Sequence, residues 1–442
     1  MKKFITIFTT HIIINHHIII MPSSLNDLQA ILRRREFTPE SLKEYLHQLP
    51  KIELHAHLNG CIRESTLLQL ASQRDVTLSS LLHDLQKETH CSEEEKHDES
   101  HEDKINKKRR SLTECFEIFA EIGKCVTDLG ALRRIAQEAL EDFANEGVVY
   151  LELRSTPKIL LDGIDGIECT KREYVETIIQ VMQEFEVEEL IRYERDMDSV
   201  KEGVVRLPMK CRYIVSINRA QSTDVAMEHA KLASDLVKEG NIYMVGLDLS
   251  GDPFKNTFKN LEPCFVLARN AGLKSSIHCG EIPCEAALND DKLSTDISYQ
   301  ETNDILAFRP DRLGHALLLT DVMFEELEKL PEKIPIECCP TSNVMTLELA
   351  THYEGDLVHG LQRHPRLEKW LDSGYPISIS TDDPGIFNTD PTMELLLVAE
   401  ALQMKSPLRI VTLIVNAIDH IFESDSLKAE IREAMINFVK AL

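Results

Sequence analysis

The sequence predicts an α/β protein built as one (β/α)8 TIM barrel, and three observations carry that expectation. Eight short β-branched runs alternate with longer amphipathic stretches, as repeated βα units around a parallel sheet require. In the motif-bearing runs the polar residues follow an apolar start and gather at the C-terminal end, where barrel loops converge. The 442 residues are 43% hydrophobic and 28% charged, a balance that supports a sizeable core and excludes a chain disordered throughout.

Taken in order, the opening stretch Met1 to Ile20 joins Lys2 and Lys3 to apolar residues and has the outline of a secretory signal. Thr9, Thr10, His11, Asn15, His16 and His17 interrupt its apolar centre, and Met21 offers a second start. Residues 1–20 are therefore read as a disordered extension and 21–442 as the barrel domain. The first strand is expected in KIELHAHL, Lys51 to Leu58. Gln86 to Arg110 is almost wholly charged or polar, cannot bury enough apolar surface to order itself, and is read as a disordered insertion. The remaining strands are expected in VVYLELRST (Val148 to Thr156), CRYIVSIN (Cys211 to Asn218), YMVGLDLSG (Tyr243 to Gly251), KSSIHCGE (Lys274 to Glu281), RLGHAL (Arg312 to Leu317), IPIECCPTSN (Ile334 to Asn343) and ISISTDD (Ile377 to Asp383). Helices are expected between them, among others LRRIAQEALEDFANEG, which ends on a helix-stopping Gly147, and TMELLLVAEALQM.

The formal net charge of -25 repels a phosphate backbone, so no nucleic-acid partner is expected and any phosphate recognition must be local. Eleven cysteines, an odd number without a C-x-x-C pair, read as reduced thiols of a cytoplasmic protein. Adjacent Cys338 and Cys339 in an extended run cannot both face one metal, which disfavours a cysteine zinc site. No membrane association is expected, and the protein is expected to be a monomer with a small-molecule substrate.

His55 and His57 stand two apart in a strand-like run, so both imidazoles share one face, and in a barrel that face is the lumen. Alone, such a pair is more often structural than metal-binding. His278, His315 and Asp382 at other strand ends or their loops reverse that balance, because an open catalytic metal site needs further protein ligands beside a water.

The motifs IELHAHLNG, LELRSTPK, GLDLSGDP, IHCGE, RLGHA, CPTSNV and STDDPGIF, in this order from Lys51 through Phe387, resemble the signature of the adenosine and AMP deaminase family. HLNG and STPK bring the chain nearest the adenosine deaminase-like, N6-methyl-AMP deaminase group. The resemblance implies a barrel of the metal-dependent hydrolase type with one zinc per chain on His55, His57, His278 and Asp382, His57 also facing the substrate. It implies Glu281 as proton donor and shuttle, His315 as the group that orients and helps deprotonate the water, Asp383 at the purine N7 side, and the Gly251 backbone near N3.

These roles have independent chemical reasons. Zinc brings the pKa of bound water from about 15.7 to about 7, and attack at C6 builds charge on N1 that a carboxylic acid can neutralise. Glu281 suits that role if burial raises its pKa. The other zinc deaminase signature, H-x-E with P-C-x-x-C, is absent: the H-x-E at His97 falls in the charged insertion.

Substrate choice turns on Asn59, where adenosine deaminases usually carry an Asp that binds the ribose 5′-hydroxyl. Asn59 removes a charge that would repel phosphate, while Arg154, Thr156 and Lys158 supply donors, with Ser155 and Pro157 in the same substrate-facing segment. Two departures stand against this: Gly123 replaces a histidine usual in the group, and Asn218 stands where an acidic residue is usual at a ribose contact. Three readings follow. The first is hydrolysis of N6-methyl-AMP to IMP and methylamine; the second is deamination of free adenosine, which Asn59 disfavours. The third is a non-catalytic binding or secreted relative, which predicts a lost ligand or acid, and none is lost.

Overall fold

The computed structural model describes residues 38–78, 111–199, 205–281, 297–350, 353, 355–404 and 407–442; the expected extension 1–20 and insertion 86–110 lie outside them. In chain order the strands are β1 (Lys51–His57), β2 (Val148–Ser155), a short antiparallel pair β3 (Leu160–Leu161) and β4 (Glu168–Cys169), then β5 (Lys210–Asn218), β6 (Met244–Ser250), β7 (Lys274–Cys279), β8 (Arg312–His315), β9 (Ile336–Cys338) and β10 (Ile377–Ile379). The sheet order β1-β2-β5-β6-β7-β8-β9-β10 is parallel throughout, which is the expected barrel.

The ring closes between β1 and the segment after β10. The Asp382 N–H donates to His55 O at 2.8 Å and the His57 N–H to Asp382 O at 3.0 Å. Glu53 reinforces this seam, its carboxylate accepting from the Thr381 N–H at 3.1 Å and the Thr381 hydroxyl at 3.0 Å. Closure leaves the eight-stranded sheet without an edge strand among the described residues.

Two runs fall furthest short, as strands, of what the sequence suggests. In IPIECCPTSN the strand ends at Cys338, and Pro340 opens a helix, Pro340–Thr346, because a first-turn proline loses no needed N–H. In ISISTDD the strand stops at Ile379 and the backbone turns, with Asp382 at φ +63°. The helix expected before β2 runs Leu129–Asn145, with the Asp128 side chain capping its start and Gly147 at φ +77° ending it. It buries Leu132, Ile135, Ala136, Ala139, Leu140 and Phe143, the three-and-four spacing of one face against the barrel. Pro391–Ala401 likewise realises the expected TMELLLVAEALQM helix, capped by Asp390. Helix Leu112–Cys125 begins with a reciprocal cap between Ser111 and Glu114.

The barrel interior is not wholly apolar. Glu152, Arg154, Asp248, Arg312 and Glu337 are buried in it and paired with one another. Arg154 reaches Asp248 at 3.0 Å and Glu337 at 2.9 Å; Arg312 reaches Glu337 at 2.5 Å and also pairs with Glu152. Removing one partner of such a pair costs about 3–5 kcal/mol because the other charge stays buried.

Candidate active site

Strand C-termini bring the chemistry together. His55 and His57 project from β1 into the lumen, His278 from β7, His315 from β8, and Asp382 and Asp383 follow β10. One ligand atom from each of His55, His57, His278 and Asp382 lies within 4.8 Å of the others. His57 Nε2 is 3.3 Å from His55 Nε2 and 3.1 Å from His278 Nε2, and Asp382 Oδ1 is 3.4 Å from the Nε2 atoms of both His55 and His57. An ion held at about 2.0–2.1 Å in tetrahedral geometry spaces its ligand atoms about 3.3–3.4 Å apart. Three nitrogens and one carboxylate oxygen therefore fit a tetrahedral divalent ion.

At His57 and Asp382 charge supports the same use. Burial keeps the His57 pKa well below the usual imidazole value, leaving the neutral form that ligates. Burial works against ionisation of Asp382, but its hydrogen bond to His55 and the surrounding imidazoles outweigh it and hold the carboxyl well below its usual range. Behind the ligands stand two carboxylates that the sequence reading missed: Glu337 Oε2 lies 2.6 Å from His55 Nδ1, and Asp248 Oδ1 3.0 Å from His278 Nδ1. Such partners orient a ligating imidazole and raise its basicity. Their signal was an acid inside an apolar strand, in IPIEC and GLDLS. Cys339 belongs to an overlapping set with His55, His315 and Asp382, but burial holds its thiol well above the usual range and so protonated.

Glu281 Oε1 lies 3.5 Å from His315 Nε2, and both residues line one cavity of about 380 Å³. Asp383 lines it too; burial and the neighbouring Asp382 charge raise its pKa well above the carboxylate range. Its Oδ1 has no hydrogen-bond partner among the described residues. A Cβ at Gly60 would stand 1.8 Å from that oxygen, so only glycine fits in the turn after β1. His315 at φ +56° and Asp382 at +63° occupy the left-handed region without being glycine, strain that the surrounding backbone pairing maintains.

Asn59, Thr156, Lys158, Asn218 and Gly251 line the same cavity, as does His57. Lys158 has no ion partner among the described residues, and burial lowers its pKa. Leu112, Cys115, Phe116 and Phe119 of helix Leu112–Cys125 and Phe387 give it an apolar wall that the sequence reading did not anticipate. Gly123 and Lys124 of that helix are not among the lining residues.

Arg154 is held differently from the other candidate phosphate donors. It borders the cavity, yet its guanidinium is fully buried and both Nη atoms are held by Asp248, Glu337, Ser276 and the Leu54 carbonyl, so that only the buried Nε is without a partner among the described residues. Pro157 is buried and is not among the lining residues, and the Ser155 hydroxyl is shared with Tyr213 at 2.7 Å and Tyr174 at 3.2 Å.

A model of the adenosine deaminase family matches residues 50–438. The chain belongs to that family. The N6-mAMP deaminase of Arabidopsis thaliana is 34% identical over 398 residues, covering 88% of this chain and 97% of that protein. The human N6-methyl-AMP deaminase is 31% identical over 395 residues, covering 88% and 93%. A solved ADAL–IMP complex superposes with a TM-score of 0.65 at 33% identity, covering 89% of this chain and 98% of that one. The chain is accordingly a purine deaminase, a hydrolase. Among the described residues no helix is long and apolar enough to cross a membrane.

Proposed function

We propose that this protein hydrolyses N6-methyl-AMP to IMP and methylamine, using one zinc ion held by His55, His57, His278 and Asp382. The observation that carries the nucleotide reading is Lys158, a cavity-lining cation without an ion partner among the described residues, in the same cavity as uncharged Asn59. A 5′-phosphate supplies the missing charge. The relatives named as N6-methyl-AMP deaminases and the complex with IMP support the same substrate and product.

Zinc, when bound, supplies a Lewis acid that makes water nucleophilic near neutral pH. The protein's own groups do the rest. Asp383, protonated, donates to N7 of the purine, and the Gly251 backbone, free of a side chain at φ +89°, approaches N3. Glu281 delivers a proton to N1 as C6 is attacked, and the remaining proton of the attacking water, carried on the new C6 hydroxyl, passes to N6, so that the C6–N6 bond breaks to release neutral methylamine and leave the C6 carbonyl of IMP. Thr156 and Lys158 hold the phosphate with Asn59, and Asn218 lines the ribose side. The nine described cysteines, all free and buried, fit a cytoplasmic enzyme.

The test is metal content together with turnover of N6-methyl-AMP, AMP and adenosine by the purified protein. One zinc per chain and a strong preference for the methylated monophosphate are expected; preference for adenosine would overturn the nucleotide reading.

A further inference from the structure

We infer that His364, acting through the side-chain amide of Asn343, fixes His315 as the neutral imidazole protonated on Nε2, so that His315 offers the reaction centre a hydrogen-bond donor and not a base. Its catalytic consequence rests on the reaction proposed above.

His364 lies just before helix Leu367–Ser373. The buried His364 Nδ1 accepts backbone N–H groups from Arg366 at 3.2 Å and Leu367 at 2.9 Å. A ring nitrogen that accepts cannot carry a proton. Burial lowers the His364 pKa to about 3, so the ring is neutral and its single proton sits on Nε2. That Nε2 lies 3.1 Å from one end of the Asn343 amide, and the other end lies 3.0 Å from His315 Nδ1. Oxygen and nitrogen of an amide are told apart by their partners. The structure sets Asn343 Nδ2 at the His364 end and Oδ1 at the His315 end, but a protonated His364 Nε2 requires the amide turned by 180°, with its oxygen toward His364 and its NH2 toward His315 Nδ1, which is thereby an acceptor. The Cys338 sulfur, 3.9 Å from the same end of the amide as His364, agrees, since burial keeps that thiol protonated and able to donate to an oxygen.

The opposite edge of His315 gives independent support. Its Nε2 faces Glu281 Oε1 at 3.5 Å and Asp382 Oδ2 at 3.9 Å, both acceptors suited to an N–H. An Nε2 that already holds its proton cannot take one from the attacking water. That proton goes to Glu281, which passes it to N1, while the His315 N–H orients the water and stabilises the negative charge that develops. The family-implied role of His315 in deprotonation is thus narrowed to positioning and electrostatics, and His364 is a positioning residue.

The test uses zinc-loaded protein labelled with nitrogen-15 in histidine, the His315 signals being assigned by their loss in His315→Gln. The parent should show a protonated His315 Nε2. Asn343→Asp, whose carboxylate only accepts, should draw protons from both rings, leave His315 Nε2 bare, and lower kcat about 10²–10³-fold with much less change in KM, as loss of one well-placed donor does. His364→Gln keeps a donor for the amide oxygen and should retain the rate that His364→Leu loses. A bare Nε2 in the parent, or an Nε2 still protonated in Asn343→Asp, overturns the inference; if Asn343→Asp does not fold, the parent spectrum alone decides. A protonated Nε2 in a protein that does not turn over N6-methyl-AMP would support the tautomer and sink the proposed reaction.

Discussion

Arg154→Met separates two accounts of the same residue by more than an order of magnitude. If Arg154 held phosphate, the variant would fold normally and lose affinity for the monophosphate alone. Its position predicts otherwise: the guanidinium is fully buried between Asp248 and Glu337 and also hydrogen-bonds Ser276 and the Leu54 carbonyl. Truncation leaves two buried carboxylates facing each other, a loss of about 3–5 kcal/mol. An unfolding entropy of about 2.1 cal/mol/K per residue over ~400 residues converts each kcal/mol to about 1.2 °C, so the melting midpoint should fall by about 4–6 °C. Asp248 and Glu337 touch His278 and His55, so kcat should also fall, and by the same factor for N6-methyl-AMP and for adenosine. Calorimetry and paired kinetics read both effects. An unchanged midpoint with a KM rise confined to the monophosphate would refute the structural account.

Glu281→Gln should keep its metal and its melting point yet lose about 10²–10⁴-fold in kcat, because an amide cannot deliver the proton; metal analysis beside turnover checks it. Lys158→Ala should weaken the monophosphate by about 10–100-fold, the value of one charge-assisted hydrogen bond, and leave adenosine kinetics unmoved. Glu394 is fully buried away from the metal ligands, and burial raises its pKa from 4.5 to about 7. The folded protein therefore binds a proton there more tightly than the unfolded chain, stability from this group is full below about pH 4.5, and it is lost as pH rises toward 7. Glu394→Gln should thus gain on the parent by about 3 kcal/mol between pH 4.5 and pH 8; urea titrations showing a constant difference across that range would contradict it. Deleting residues 89–107 should leave activity intact, since insertions in loops cost little stability, and an inactive variant would make that segment part of the machinery.

The barrel was legible because its signal is repeated: eight apolar runs each end in polar residues, and the structure turns those ends inward around one cavity. The donor candidates were legible for the same reason, since a strand period of two and strand-end positions single out His55, His57, His278, His315 and Asp382; the resemblance narrowed these to four, whose ligand atoms lie within 4.8 Å of one another. What could not be read was pairing across the barrel. Arg154 follows the apolar run of β2 just as Lys158 follows it, and residue type gives both the same reach for phosphate. Only the third dimension shows that β6 and β9 present Asp248 and Glu337 to one of them and nothing charged to the other.

His364 and Asn343 make the same point, being 21 residues apart in sequence and meeting at 3.1 Å, the amide on helix Pro340–Thr346 and the imidazole on the segment before helix Leu367–Ser373. A cation whose charge the fold has already matched serves stability, and one left unmatched in a cavity is free to serve binding. Strand-end position therefore identifies candidates for chemistry, and the balance of buried charge decides which of them the substrate meets.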